Sequence, residues 1–366
     1  MVDEPIPMHG GQLRTLAAQF GIEEESLLDF SASISPYPPS DASIDTLCKS
    51  IRERTVVTRY PETNYIALKD AIAQYLGVAT NSICAGNGGM ALLAAVLRVL
   101  KSRKCLVLAP AFAEYERVLT SCDVKQCILG LSEEDGFAIN AERILDRLRT
   151  VEADVLLLAN PHSPSGRLYT AAELIELQRH AANLGVDTIV DEAFIDYVPD
   201  ESLCCGTVRT TRLVVLRSLT KFFAMPGLRV GYAVAHPDLC AKLEAALPLW
   251  PVDSIASEAA CLALSDSTWI EEIREKNRRE RVWLTERLRE LGVAVFPGGA
   301  NYLLFKVGGK LDGIELWRKL IVEHGIVIRS CANFHGLSSG HFRVAVRTRG
   351  ENERLIAALG DYLPPA

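Results

Sequence analysis

The stretch Arg217-Ser218-Leu219-Thr220-Lys221 sets one lysine just beyond the apolar run 213–216. Ser218 lies three residues before that lysine, and Arg229 eight residues after it. An amine, a hydroxyl and a guanidinium gathered near a strand end can grip a phosphorylated aldehyde. The amine condenses with the carbonyl, and the other two groups hold the phosphate. Lys221 on its own reads as an ordinary surface charge, because surface lysines are the rule. The chemical reading rests on the residues upstream.

Those residues fall at the ends of predicted strands. Gly86-Asn87-Gly88-Gly89-Met90 joins a strand to a helix. Glycines there let backbone N–H groups approach an anion at the helix N-terminus, although tight packing explains them equally well. The loop is neither a Walker A sequence nor G-x-G-x-x-G. Asp191 closes the run 186–190. A carboxylate in that position can keep a ring nitrogen protonated; it can also cap a helix or join a salt bridge. Phe112 follows another strand and can stack on a planar ring or pack in the core. The loop Asn160-Pro161-His162-Ser163-Pro164-Ser165-Gly166 can face a ligand or simply turn.

The elements that must position these groups alternate. Apolar spacing predicts helices over 66–76, 91–100, 114–121, 141–148 and 171–183. Strands are predicted over 81–85, 104–109, 124–129, 154–159, 186–190, 213–216 and 230–235. Continuous apolar strands with helical crossovers imply an α/β fold, with a mostly parallel seven-stranded sheet covered on both faces. Open sheets of this kind bind ligands beyond the carboxyl ends of their strands, where most of the candidate groups lie. From Pro237 the texture changes. A long charged helix over 269–291 precedes strands near 293–296, 302–306, 326–329 and 342–346, which reads as a smaller α+β domain. The expected division is 1–45 as an N-terminal segment packing on the small domain, 46–245 as the large domain, and 246–366 as the small domain.

Composition narrows the function classes. A chain of 366 residues with 49% apolar and 23% charged residues has ample material for a globular core. Its net charge of −7 and lack of a long like-charge block argue against a nucleic-acid partner. Ten cysteines without a C-x-x-C pair, in a chain this long, point to reduced thiols and a cytoplasmic location, with no metal site expected. The acidic start Met1-Val2-Asp3-Glu4-Pro5 has no apolar core for a signal peptide, and no run reaches the length of a membrane span.

Taken in order, the glycine loop, the aromatic, the N-P-x-x-P-x-G loop, Asp191-Glu192-Ala193 and the S-x-x-K motif with its arginine resemble one family. It is the pyridoxal-phosphate enzymes of the aspartate-aminotransferase type (fold type I), and the likeness covers essentially the whole chain. The resemblance implies pyridoxal 5′-phosphate held covalently by Lys221, with Asp191 at its ring nitrogen and Phe112 stacked on its ring. Ser218, Arg229 and the backbone of Gly88, Gly89 and Met90 would hold its phosphate. Tyr60, in Arg59-Tyr60-Pro61-Glu62, would reach the cofactor phosphate of a neighbouring subunit, which implies a homodimer. Arg343 would bind the substrate α-carboxylate.

Within the family the details are most similar to the L-threonine-O-3-phosphate decarboxylases of cobalamin biosynthesis, and next to the histidinol-phosphate aminotransferases. Met8-His9-Gly10-Gly11, Asp29-Phe30-Ser31-Ala32 and Ile328-Arg329-Ser330-Cys331 carry that likeness. It implies decarboxylation of a phosphorylated amino acid, with His9, Ser33, Arg329 and Arg343 at the substrate and Arg14 as a further candidate cation. Phe194 stands where the aminotransferases usually carry a tyrosine that reaches the cofactor's ring oxygen, which favours the decarboxylases. The chain also departs from the pattern. Serines occupy 33 and 35 where asparagine is usual. Ser163 replaces the asparagine that donates to the ring oxygen, and Met90 replaces a hydroxyl residue at the phosphate. A non-catalytic binding module of the same fold is disfavoured by the intact Lys221.

Overall fold

The computed structural model describes residues 7–308 and 312–363; residues 1–5, expected to carry no leader, lie outside them. The strands are β1 (Leu28–Asp29), β2 (Ile83–Gly86), β3 (Lys104–Ala109), β4 (Lys125–Gly130), β5 (Val155–Ala159), β6 (Asp187–Asp191) and β7 (Leu213–Ser218). They continue as β8 (Gly231–Ala235), β9 (Ala294–Val295), β10 (Tyr302–Lys306), β11 (Ile326–Val327), β12 (Arg329–Ser330) and β13 (His341–Ala345). The large sheet has seven strands in the order β2-β8-β7-β6-β5-β3-β4. It is parallel except for β8, which runs antiparallel to both of its neighbours.

Both faces of this sheet are covered, which is why its central strands are apolar without a break. Alternate residues feed two separate cores. Leu156, Leu158, Val190 and Val215 join the core on one face, together with helix Ile66–Leu76. Leu157, Ile189, Val214 and Leu216 join the core on the other, under helix Gly88–Leu100. Helix Ala171–Asn183 starts at a reciprocal cap in which Thr170 and Glu173 satisfy each other's backbone N–H groups. The first core continues through Val252, Ala256, Ala260, Ile270 and Ile273. Helix Ser254–Ser265, which packs on helix Ile66–Leu76, and the first turns of helix Ser267–Glu290 therefore belong to the core of the large sheet.

A second, antiparallel sheet has the order β12-β13-β10-β9. Leu16, Leu27 and Phe30 from the start of the chain share its core with Leu303, Phe305, Leu320 and Phe342. There β1 pairs in parallel with β11, Leu28 opposite Ile326. The run 326–329 predicted as one strand is thus two: β11 serves β1, and β12 serves β13. Its local pattern does not disclose the change of partner at Ile328. Among the described residues, no helix is long and apolar enough to cross a membrane.

Candidate active site

Strands β6 and β7 run side by side, with Asp191 opposite Leu216, so Asp191 and Ser218 emerge at the same edge of the sheet. The chain then loops out through Lys221 and returns as β8, with Ser218 opposite Gly231. Leu219 N–H closes the loop on Val230 O at 3.1 Å. Next to β8, β2 ends where helix Gly88–Leu100 begins, with Gly86 opposite Gly231. Gly88 has φ +78°, and a Cβ on it would sit 2.8 Å from Arg229 Nη2. A Cβ on Gly231 would lie 3.0 Å from Gly88 Cα. These two glycines let the arginine and the helix start converge.

No side chain caps this helix at Asn87, so its first N–H groups are open to a ligand. Arg229 donates to Thr220 Oγ1 at 3.4 Å, and Thr220 N–H donates to Ser218 Oγ at 3.2 Å. An uncapped helix N-terminus, a guanidinium and two hydroxyls form a site suited to a phosphate group.

A cavity of about 330 Å³ opens from this point. Gly89, Met90, Phe112, Ser163, Asp191 and Arg343 line it together with Ser218, Lys221 and Arg229. Asp191 Oδ2 accepts the Tyr115 hydroxyl at 2.7 Å, and Oδ1 accepts Ala193 N–H at 3.0 Å. Among the described residues Asp191 makes no ion pair, and burial pushes its carboxyl above the usual range against the pull of Tyr115. Burial, then the positive charges of Arg343 and Arg229, lower the Lys221 amine to about 8. Lys221 Nζ lies 5.5 Å from the centre of the Phe194 ring.

The residues fit the expected cofactor. A phosphate site, an amine of lowered pKa, an aromatic wall and a carboxylate without a cation converge on one cavity. The ring-oxygen contact is the thinnest part of the fit. Phe194 is buried and apolar, and Ser163 Oγ already accepts Arg343 Nη1 at 3.2 Å.

The N-terminal segment backs the cavity by bonding to residues that line it, without lining it itself. Arg343 Nη2 donates to Ser31 O at 3.3 Å, and Ser35 N–H donates to Lys221 O at 2.9 Å. Ser33, between them, is fully buried, and its hydroxyl has no partner among the described residues. His9 lies 2.9 Å from Glu114 and beside Phe112, both of which line the cavity, but is not itself among the lining residues. Arg329 is buried, with its pKa lowered to about 10 by burial, and is bonded to Met8 O at 2.6 Å and Asn333 Oδ1 at 2.8 Å. It is not among the cavity-lining residues. Arg14 is exposed on helix Leu13–Phe20. Tyr60 is 78% exposed and stacks on Trp250 at 4.1 Å, away from this chain's own cavity. His162, in the loop after β5, is buried against Phe137, with its pKa lowered to about 4 by burial. The local sequence pattern does not mark Tyr115 or Thr220 as site residues. Tyr115 follows Phe112 by three residues at a helix start, the spacing that puts two side chains on one face.

The reverse side of the same strand ends is built differently. Arg217, one residue before Ser218, is 1% exposed. It pairs with Glu192 at 3.2 Å and with Asp196. Glu192 also accepts Leu203 N–H and Ser202 Oγ, each at 2.7 Å, and Asp196 accepts the Tyr75 hydroxyl at 2.8 Å. A larger hollow of about 720 Å³ opens on this side. Its cations Arg217 and Arg274 are already tied to partners within the protein, so the smaller cavity is the candidate active site.

A family model described as aminotransferase class I and II matches residues 25–359. Threonine-phosphate decarboxylase of Salmonella typhimurium is 38% identical over 97% of this chain and 96% of its own length. Among solved structures, histidinol-phosphate aminotransferase of Clostridium acetobutylicum superposes with a TM-score of 0.84 at 30% identity, covering 92% of this chain and 98% of that one. The L-threonine-O-3-phosphate decarboxylase of Porphyromonas gingivalis superposes with a TM-score of 0.78 at 25% identity, covering 91% and 98%.

Proposed function

The chain belongs to the aminotransferase class I and II family and is a near full-length homologue of a threonine-phosphate decarboxylase, and from that premise we propose that it decarboxylates L-threonine O-3-phosphate or a close phospho-amino acid with pyridoxal 5′-phosphate. The observation that carries this reading is the 38% identity over 97% of the chain. Bound in the cavity, the cofactor supplies an aldehyde that takes up an amine and a ring that draws electrons away from the substrate's Cα.

The protein's own groups divide the remaining work. Ser218, Thr220, Arg229 and the first N–H groups of helix Gly88–Leu100 hold the cofactor phosphate. Asp191 keeps a proton on the ring nitrogen. Lys221, with its pKa near 8, presents a neutral amine in a useful fraction of molecules near neutral pH, and its Nζ can carry a proton to the substrate carbon. Arg343 holds the α-carboxylate and so sets which bond at Cα is presented for cleavage. Phe112 and Phe194 are apolar walls that limit water beside the reacting atoms. His9, Ser33 and Arg329 lie outside the cavity's lining and would serve the substrate from its edge.

A homodimer completes the site in this reading. Tyr60 is exposed next to Trp250, and Leu249, 64% exposed, extends the same surface. Tyr60 would serve the partner's cavity.

A second reading, a histidinol-phosphate-type aminotransferase, is favoured by the closer superposition on that enzyme's structure. Incubation with O-phosphothreonine, O-phosphoserine and histidinol phosphate, with and without 2-oxoglutarate, separates the two. Release of CO2 from a phospho-amino acid without an oxo-acid acceptor is the expected result. Acceptor-dependent formation of a keto product would overturn it.

A further inference from the structure

We infer that Tyr115 is the positioning residue that fixes Asp191 in its ionised form, aimed at the ring nitrogen of the cofactor. The inference rests on the cofactor reading above and concerns a residue for which that reading needs no role.

Asp191 sits in an awkward place for a carboxylate. It is at the floor of an apolar-walled cavity and, among the described residues, has no cation within ion-pair distance. Burial therefore favours the neutral acid. A neutral Asp191 could not stabilise a protonated ring nitrogen. Two donors oppose that loss, Ala193 N–H at 3.0 Å and the Tyr115 hydroxyl at 2.7 Å. The first is part of the turn after β6 and sets only Oδ1. The second comes from a different element, helix Glu114–Ser121, and is the side-chain bond that fixes Oδ2.

Tyr115 is suited to act only as a donor. Its side chain is 2% exposed, and burial beside Asp191 pushes its phenol pKa well up, so it stays protonated. Its ring stands edge-on to Phe112, with centroids 5.7 Å apart and planes at 88°. Its backbone N–H donates to Phe112 O at 3.0 Å. One residue thus ties the wall expected to stack on the cofactor ring to the carboxylate expected at its nitrogen. A plain packing role would need the ring but not the hydroxyl.

The test separates hydroxyl from ring and both from the cofactor reading. Tyr115→Phe keeps the ring. In the full chain without cofactor, the Asp191 carboxyl titration is followed by ¹³C NMR, with Asp191→Asn assigning the signal. In the same variants, the dissociation constant for pyridoxal 5′-phosphate is measured by fluorescence. The expected result is a higher Asp191 pKa and cofactor binding weaker by about tenfold, the scale of one hydrogen bond to a charged group. Site-specific 3-fluorotyrosine at 115, a stronger donor of nearly the same shape, should move the titration the opposite way. It also serves if Tyr115→Phe fails to fold. Titration and affinity equal to wild type in these variants would overturn the inference. If wild-type protein fails to bind pyridoxal 5′-phosphate, the cofactor reading falls, while the Asp191 titration still decides the role of Tyr115.

Discussion

Asp191 and Glu192 are neighbours in sequence and face opposite environments. So do Ser218 and Arg217 on the adjoining strand. On the cavity side, Asp191 has no ion pair among the described residues, and Lys221 is held by burial and by Arg343 and Arg229 at an amine pKa of about 8. On the reverse side, Arg217 bridges Glu192 and Asp196 in a buried ion-paired set that also engages Ser202 and Tyr75. The same strand ends therefore carry charges of two kinds. Those left unpaired weaken the fold and are available to a ligand. Those paired contribute no chemistry and fix the positions of the first kind.

The contrast is sharpest at Lys221. Lys221→Met should lower turnover on the order of 10³-fold or more, because it removes both the covalent link and the proton carrier. The same change should stabilise the cofactor-free chain at pH 7 against urea. Folding lowers the amine pKa from 10.5 to about 8, so the unfolded chain binds more protons between those values. Wild-type stability then rises with pH across that window, and the advantage of Lys221→Met shrinks as pH rises from about 8 towards 10.5. A variant destabilised at pH 7, with no pH trend, would break the comparison.

Arg217→Met should do the reverse. Two carboxylates would remain buried without their cation, at a cost of about 3–5 kcal/mol in urea unfolding of the cofactor-free chain. Loss of activity in that variant should follow loss of fold. The smallest effect is expected for Arg229→Gln, on the cavity side. Arg229 is an exposed residue without an ion pair among the described residues, so unfolding without cofactor should change little. Affinity for pyridoxal 5′-phosphate, read by equilibrium titration, should fall by roughly 10- to 100-fold, the scale of one charge-assisted bond to phosphate.

Much of the large sheet was legible from the sequence. The runs 104–109, 114–121 and 171–183 match strand β3 and helices Glu114–Ser121 and Ala171–Asn183, because burial on two faces or one leaves a periodic trace. What escaped was information carried by partners rather than by the local pattern. The division of 326–329 depends on β1 and β13, which lie far away in the chain. Nothing local sets Tyr115 apart from a core aromatic; its hydroxyl finds Asp191 only across the fold. Arg329 carries the charge expected for a substrate contact, and its bonds run to Met8 O and Asn333, which only the folded N-terminal segment could reveal. The motif residues Ser218, Lys221, Asp191 and Arg343 converge on one cavity because strand ends and the return loop place them there.

The pairing of β1 with β11 has a consequence for biosynthesis. Leu28 lies opposite Ile326, and Phe30 bonds to Val327 and Ala345. Every strand of the large sheet leaves the ribosome before these C-terminal partners are made. The side of the site containing Ser31, Ser35 and Arg343 is therefore assembled last. Through most of translation Leu16, Leu27 and Phe30 are an apolar stretch without its proper cover, and that stretch is where a chaperone would take hold of the nascent chain.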